Sequence, residues 1–231
     1  MITDALFILH FNGSVVDITS NDRDFTAVGS ITYGSGPWSN RQAAIGLNAT
    51  NYCRNTTASL TTAMANLASW SFMGTCRRST FGSYPAGMSF AGSSAANAVV
   101  LYPFKSNGGD GTAVFAFNAE RMNTASSHSA NAWTKFGLTY SGGTLSLYVN
   151  NVTPVTVGSL SLTMPASPIG FYFGNFHNGG TPNQGFDGDW ADARFFNRAF
   201  TAADWTEYMT YAGSEPSTGG NRFQMGIGLG L

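Results

Sequence analysis

Apolar residues fall at every second position in a series of short runs along this chain, and each run ends in Gly, Asn, Pro or Ser. A period of two is what a strand with one covered face leaves in a sequence. Repeated at this spacing, it predicts an all-β sandwich or barrel. Strands are expected at residues 15–18, 25–33, 42–47, 70–78, 88–90, 98–102, 112–118, 133–140, 144–150, 169–175 and 189–196. Residues 5–11, ALFILHF, are apolar on both faces, as in a strand covered on each side. His10 alternates with Leu6 and Ile8 and reads as a half-buried strand residue. Residues 106–111 (SNGGDG) and Ser141-Gly142-Gly143 read as hairpin turns. Two short helices are expected, at 56–68 and at 201–210; Thr201 caps the second, with Asp204 near its positive end.

Strand spacing also assigns faces. Trp70, Trp133, Trp190, Phe171 and Phe173 read as core. In residues 189–196 strict alternation puts Ala191, Ala193 and Phe195 on one face and Trp190, Asp192, Arg194 and Phe196 on the other. Cys76 is in phase with Trp70 and Phe72 and so points inward. With Cys53 it allows one disulfide at most, and two reduced thiols are the favoured reading.

Composition narrows the function classes. Charged residues make up 10% of the 231 positions, against roughly 25% in an average soluble protein, and turns and polar faces are supplied by Gly, Ser, Thr and Asn instead. A net charge of -1 gives no electrostatic reason to bind nucleic acid or anionic lipid. No apolar run approaches the roughly 20 residues of a bilayer span. The apolar start reads as the first strand, since it lacks a basic opening and a small-residue cleavage site. One domain is expected over residues 1–212. Residues 213–231 then form a Gly-rich linker and an apolar tail, read either as disordered or extra edge strand, or as a peptide that docks on a neighbouring subunit by strand addition.

Catalytic chemistry is poorly represented. His10, His128 and His177 show no metal-ligand spacing, no G-x-S-x-G elbow is present, and Glu120, Glu207 and Glu215 lie far apart in sequence. Asp187 and Asp189 are two apart on a turn, where a structural role is expected. Asp17, Asp22 and Asp24 form the one early acidic cluster and read as a solvated turn. Catalytic residues, a metal and a cofactor are therefore expected to be absent. Sugar recognition needs aromatic faces together with amides and hydroxyls. Two loops combine these: residues 34–40, with Trp38, Ser39 and Asn40, and residues 174–184, with Asn175, Phe176, His177, Asn178, Asn183 and Gln184. The competing reading is that both are ordinary turns whose aromatics pack back on the sandwich rim.

Residues 185–205, GFDGDWADARFFNRAFTAADW, resemble the closing signature of laminin-G-like domains of the concanavalin A-like lectin/glucanase superfamily. The opening ALFILHFNGSVVDITSNDRDFTAVGS, residues 69–77 and residues 132–151 (AWTKFGLTYSGGTLSLYVNN) resemble further motifs of that family, in the correct order. The resemblance implies a two-sheet antiparallel jelly-roll sandwich with a short C-terminal helix. It departs at Asn12, Thr75, Lys135 and Ala191, where members carry Asp, Trp, His and Asp. Some members bind calcium, and the missing acids at 12 and 191 leave that site unsupported here. The implied function is a non-enzymatic glycan-binding or adhesive module. With a Met directly before the first strand and few lysines, display on a virion surface is expected, in a homo-oligomer or larger assembly. The alternatives are a structural virion subunit docking through its tail and a secreted glycan-degrading enzyme.

Overall fold

The computed structural model describes residues 4–92, 97–106, 111–117, 119–125, 128–150, 153–178 and 181–211, so the tail expectation lies outside the described residues. The chain forms two antiparallel sheets packed face to face, with a short helix at the C-terminal end, in the jelly-roll arrangement expected of it. The eight-stranded sheet runs in the order β13 (Val155–Val157), β12 (Thr144–Val149), β11 (Thr134–Ser141), β6 (Trp70–Arg78), β17 (Gly188–Phe196), β4 (Gln42–Leu47) and β3 (Thr32–Ser35). Its eighth strand, β1 (Ala5–His10), takes over the edge of β17 from Asp192 onward, where β4 has left it at Trp190.

The seven-stranded sheet runs β10 (Ala119–Ala125), β9 (Gly111–Ala116), β8 (Ala98–Lys105), β7 (Met88–Ala91), β14 (Phe171–Phe173), β5 (Tyr52–Asn55) and β2 (Thr26–Val28). A separate hairpin joins β15 (Phe176–Asn178) and β16 (Thr181–Asn183). Between the sheets lies an aromatic core that includes Phe7, Phe72, Phe90, Phe171, Phe173, Phe195, Trp70 and Trp190, all buried. Phe90 stacks on Phe171 across the β7–β14 pair at 4.9 Å. Rings of this size each remove a large apolar area from water, so they dominate the driving force for closing the two layers.

Strict alternation fails at one place that matters. The register of β17 against β6 slips between Trp190 and Asp192, a β-bulge that sets two residues against one and resets the phase. Trp190 therefore shares the core face with Ala193 and Phe195, while Asp192, Arg194 and Phe196 face outward, correcting the face expected for Trp190. Trp133 is corrected as well: it is half-buried, outside the core, with the Arg77 guanidinium 4.7 Å from its ring centre.

Residues 15–18 are not a strand. Only Asp17 bridges to β1, and Val16 and Ile18 are exposed. Asp17 is likewise no solvated turn residue: it is buried and accepts hydrogen bonds from the Ile8, Thr19 and Arg23 amides and the Thr19 hydroxyl. Its oxygens organise the turn.

Helix α1 (Ala58–Met64) buries only Leu60 and Met64. Helix α2 (Ala202–Thr210) starts with a full capping box: Thr201 Oγ1 accepts from the Asp204 amide at 3.2 Å, and the Asp204 carboxylate accepts from the Thr201 amide at 2.7 Å. It lies on the outer face of the eight-stranded sheet, packing Trp205 and Tyr208 against Ile8, Met73, Phe196 and Phe200. Cys53 and Cys76 are buried free thiols in opposite sheets, and burial pushes both thiols up.

Candidate functional site

The loop between β3 and β4 opens a cleft of about 570 Å³ lined by Asn12 and residues 34–42. Its shape is set locally. The Gly36 amide donates to the Arg41 carbonyl and the Arg41 amide to the Trp38 carbonyl, both at 3.2 Å, closing the loop on itself. A Cβ at Gly36 would meet the Arg41 carbonyl oxygen at 2.8 Å, so the closed loop requires glycine there. The Gln42 amide donates to Asn12 Oδ1 at 3.0 Å and ties the loop to the turn after β1. Trp38 and Asn40, both expected as ligand-binding residues, line this cleft, Trp38 half-buried and Asn40 exposed. Ser35, Ser39 and Gln42 add hydroxyl and amide groups, and Arg41 is the one charged side chain among the lining residues.

The other expected loop turns inward. Phe176 is only 5% exposed and packs with Ala86, Val100 and Tyr102 on the outer face of the seven-stranded sheet. Asn175 is fully buried; its carbonyl accepts from Ser89 Oγ at 3.0 Å and its Nδ2 reaches the Ala49 carbonyl at 3.4 Å. Both side chains turn into the protein, and Phe176 joins an aromatic cluster made by Tyr102 and Phe115 of the seven-stranded sheet and Tyr84 of the loop before β7. His177, Asn178 and Asn183 pair their backbones in the β15–β16 hairpin, and their side chains lie outside the described residues. Gln184, from the same loop, accepts the Tyr102 hydroxyl at 2.6 Å.

Behind the cleft the sheet carries a buried ionic group that sequence reading missed. On the outer face His10 Nδ1 and Arg194 Nε each lie 2.9 Å from the Asp192 carboxylate, and all three side chains are at most 3% exposed. Burial would raise the Asp192 pKa, but Arg194 and the His10 hydrogen bond outweigh it and hold the carboxyl well below the ordinary range. Tyr211 lies over this group, stacked on His10 and 4.3 Å from the Arg194 guanidinium. Its ring meets Trp38 edge-on at 5.1 Å, and its carbonyl accepts the Trp38 Nε1 hydrogen bond at 3.1 Å. The signal was present in the chain: Asp192 and Arg194 alternate within the largely apolar stretch 190–196, which requires a covering layer supplying partners.

The acidic pair two apart also has structural partners. Asp189 accepts both Nε and Nη2 of Arg77, at 3.0 and 2.6 Å, and the Gly46 amide at 2.9 Å. Among the described residues no three His, Cys, Asp or Glu side chains gather as a metal site, and no helix is long and apolar enough to cross a membrane.

A family described as laminin G type 3, concanavalin A-like lectin/glucanases superfamily, matches residues 56–204. The chain belongs to the concanavalin A-like lectin/glucanases superfamily. Among solved structures, this superfamily member is similar to domain 4 of AbnA, a GH43 extracellular arabinanase from Geobacillus stearothermophilus, in complex with arabinotriose. The two are 16% identical with a TM-score of 0.72, over 90% of this chain and 98% of that one. It is also similar to the binding domain of botulinum neurotoxin serotype D/C, 14% identical with a TM-score of 0.64, over 89% of this chain and 51% of that one. The NanB sialidase of Streptococcus pneumoniae, as its K499G mutant, is 15% identical with a TM-score of 0.51, over 72% of this chain and 27% of that one. The chain thus spans about half of the neurotoxin domain and about a quarter of the sialidase. At these identities the likeness is one of fold. A search of curated proteins finds no match.

Proposed function

We propose that this domain is a non-enzymatic carbohydrate-binding module that takes its ligand in the Trp38 cleft. The observation that carries the reading is the cleft itself: an indole, amides and hydroxyls lining about 570 Å³ of open volume on a sandwich of the lectin/glucanases superfamily. An indole offers a flat apolar face to the C–H side of a sugar ring, and the Asn40 and Gln42 amides and the Ser35 and Ser39 hydroxyls carry the donor and acceptor types that its hydroxyls need. The full-length likeness to an arabinanase domain bound to arabinotriose supports the same ligand class. The extracellular setting of that arabinanase supports an extracellular setting for this domain, a virion surface being one such setting. The deciding experiment is a glycan array with the intact chain, followed by titration of any hit. At least one carbohydrate binds, and Trp38→Ala weakens it at least about tenfold. Absence of any hit would overturn the reading in favour of a structural role.

A further inference from the structure

Lys135 lies on β11 opposite Thr75 of β6, with its side chain under the last turn of α2. Its ammonium donates to three carbonyls there, Tyr208 at 2.9 Å, Met209 at 2.8 Å and Tyr211 at 3.2 Å. The last carbonyls of a helix have no partner within it and sit at the negative end of its dipole. Helix α2 has no basic residue in its own last turn; the Tyr211 amide caps the Tyr208 carbonyl at 3.2 Å, and a lysine from the sheet adds a charge to that cap. The same ammonium lies 5.9 Å from the centre of the Trp38 ring. Trp38 in turn donates Nε1 to the Tyr211 carbonyl, so one oxygen receives both groups.

We propose that Lys135 is a positioning residue for the cleft: by holding the Tyr211 carbonyl it sets the orientation of the Trp38 indole. Three consequences define what the ring offers. Its N–H is already committed to Tyr211, one side of it looks toward the ammonium, and Tyr211 closes against it edge-on. What remains for a ligand is the opposite face and the outer edge. The cleft therefore meets its ligand through stacking on the apolar C–H face of a furanose or pyranose ring, with no hydrogen bond to the indole nitrogen. This inference rests on reading the cleft as a carbohydrate site.

Indole N–H resonances of the intact chain, with and without ligand, separate positioning from simple helix capping. The Trp38 signal is the one that vanishes in Trp38→Phe. In Lys135→Met, positioning predicts that this signal moves, that its hydrogen exchange accelerates, and that affinity for the array-identified carbohydrate falls about tenfold. Lys135→Arg, which keeps the charge and several donors, restores both readouts in large part. Combining Lys135→Met with Trp38→Phe costs less than the product of the two single losses. A Lys135→Met protein that melts lower yet keeps the Trp38 signal and the affinity would overturn the proposal and leave Lys135 as a helix cap. If no carbohydrate binds the unaltered chain, the reading of the cleft fails. The indole signal then still decides whether Lys135 sets the ring.

Discussion

Residues 34–40 and 174–184 have much the same inventory of aromatic, amide and hydroxyl side chains, and they end in opposite situations. The first hangs from the β3–β4 hairpin at one edge of its sheet and lines an open cleft. The second follows β14, an interior strand, and delivers Asn175 and Phe176 into packed surroundings. The difference lies in the neighbouring layer. Next to the first loop stand the C-terminal end of α2, whose Tyr211 carbonyl takes the indole N–H, and a buried ionic group beneath Tyr211, and they leave ring surface over. Next to the second stands a patch of Tyr84, Tyr102 and Phe115, which takes Phe176 as one more ring. The inventory of a loop states which contacts it can make; the sheet beneath it decides which are used.

That contrast can be broken at its foundation first. Asp192→Ala removes the carboxylate shared by His10 and Arg194 under Tyr211 and leaves two basic groups buried together. Breaking a buried ionic set in this way costs about 3–5 kcal/mol, read as a drop in unfolding free energy in urea. Phe176→Ala is expected to cost about 3 kcal/mol by emptying a packed position, with carbohydrate affinity changed less than about twofold. Trp38→Ala gives the reverse profile: affinity falls at least about tenfold, or about 1.4 kcal/mol, while stability changes by about 1 kcal/mol or less.

The smallest effect concerns the other end of α2. The Arg198 hydrogen bond, helped by bonds from Thr201 and opposed by partial burial, holds the Asp204 pKa down from 3.8 to about 2. A carboxyl depressed in the folded state stabilises fully above its unfolded pKa, and that contribution is lost as pH falls through the folded value. The urea midpoint should therefore fall between about pH 4 and pH 2, and Asp204→Asn should flatten that decline. Thr201→Ala should cost about 1 kcal/mol at neutral pH by removing the cap.

Much of the sandwich was legible because its interior strands alternate cleanly. β4 at residues 42–47 and β6 at 70–78 have the limits expected of them, as does the capped start of α2. β5, β10 and β13 were not foreseen. β5 and β13 are only four and three residues long, and β10, AERMNTA, is an edge strand with mixed polar residues, so no period of two stands out. The bulge at Trp190 was equally hidden, since a one-residue slip depends on the partner strand and leaves no local mark. For the candidate site, sequence named Trp38, Asn40, Asn175 and Phe176 alike and could not foresee that the first two line an open cleft while the other two are buried. It also read Lys135 only as a departure from the family pattern, because its three carbonyl partners lie more than 70 residues away.

The most direct test is a side-by-side titration of the unaltered chain, Trp38→Ala and Phe176→Ala with the best carbohydrate from a glycan array, at equal folded fraction. Saturable binding that is lost in Trp38→Ala and kept in Phe176→Ala is the expected result. Binding that survives Trp38→Ala, or disappears with Phe176→Ala while the protein stays folded, would contradict the assignment of the ligand to the cleft.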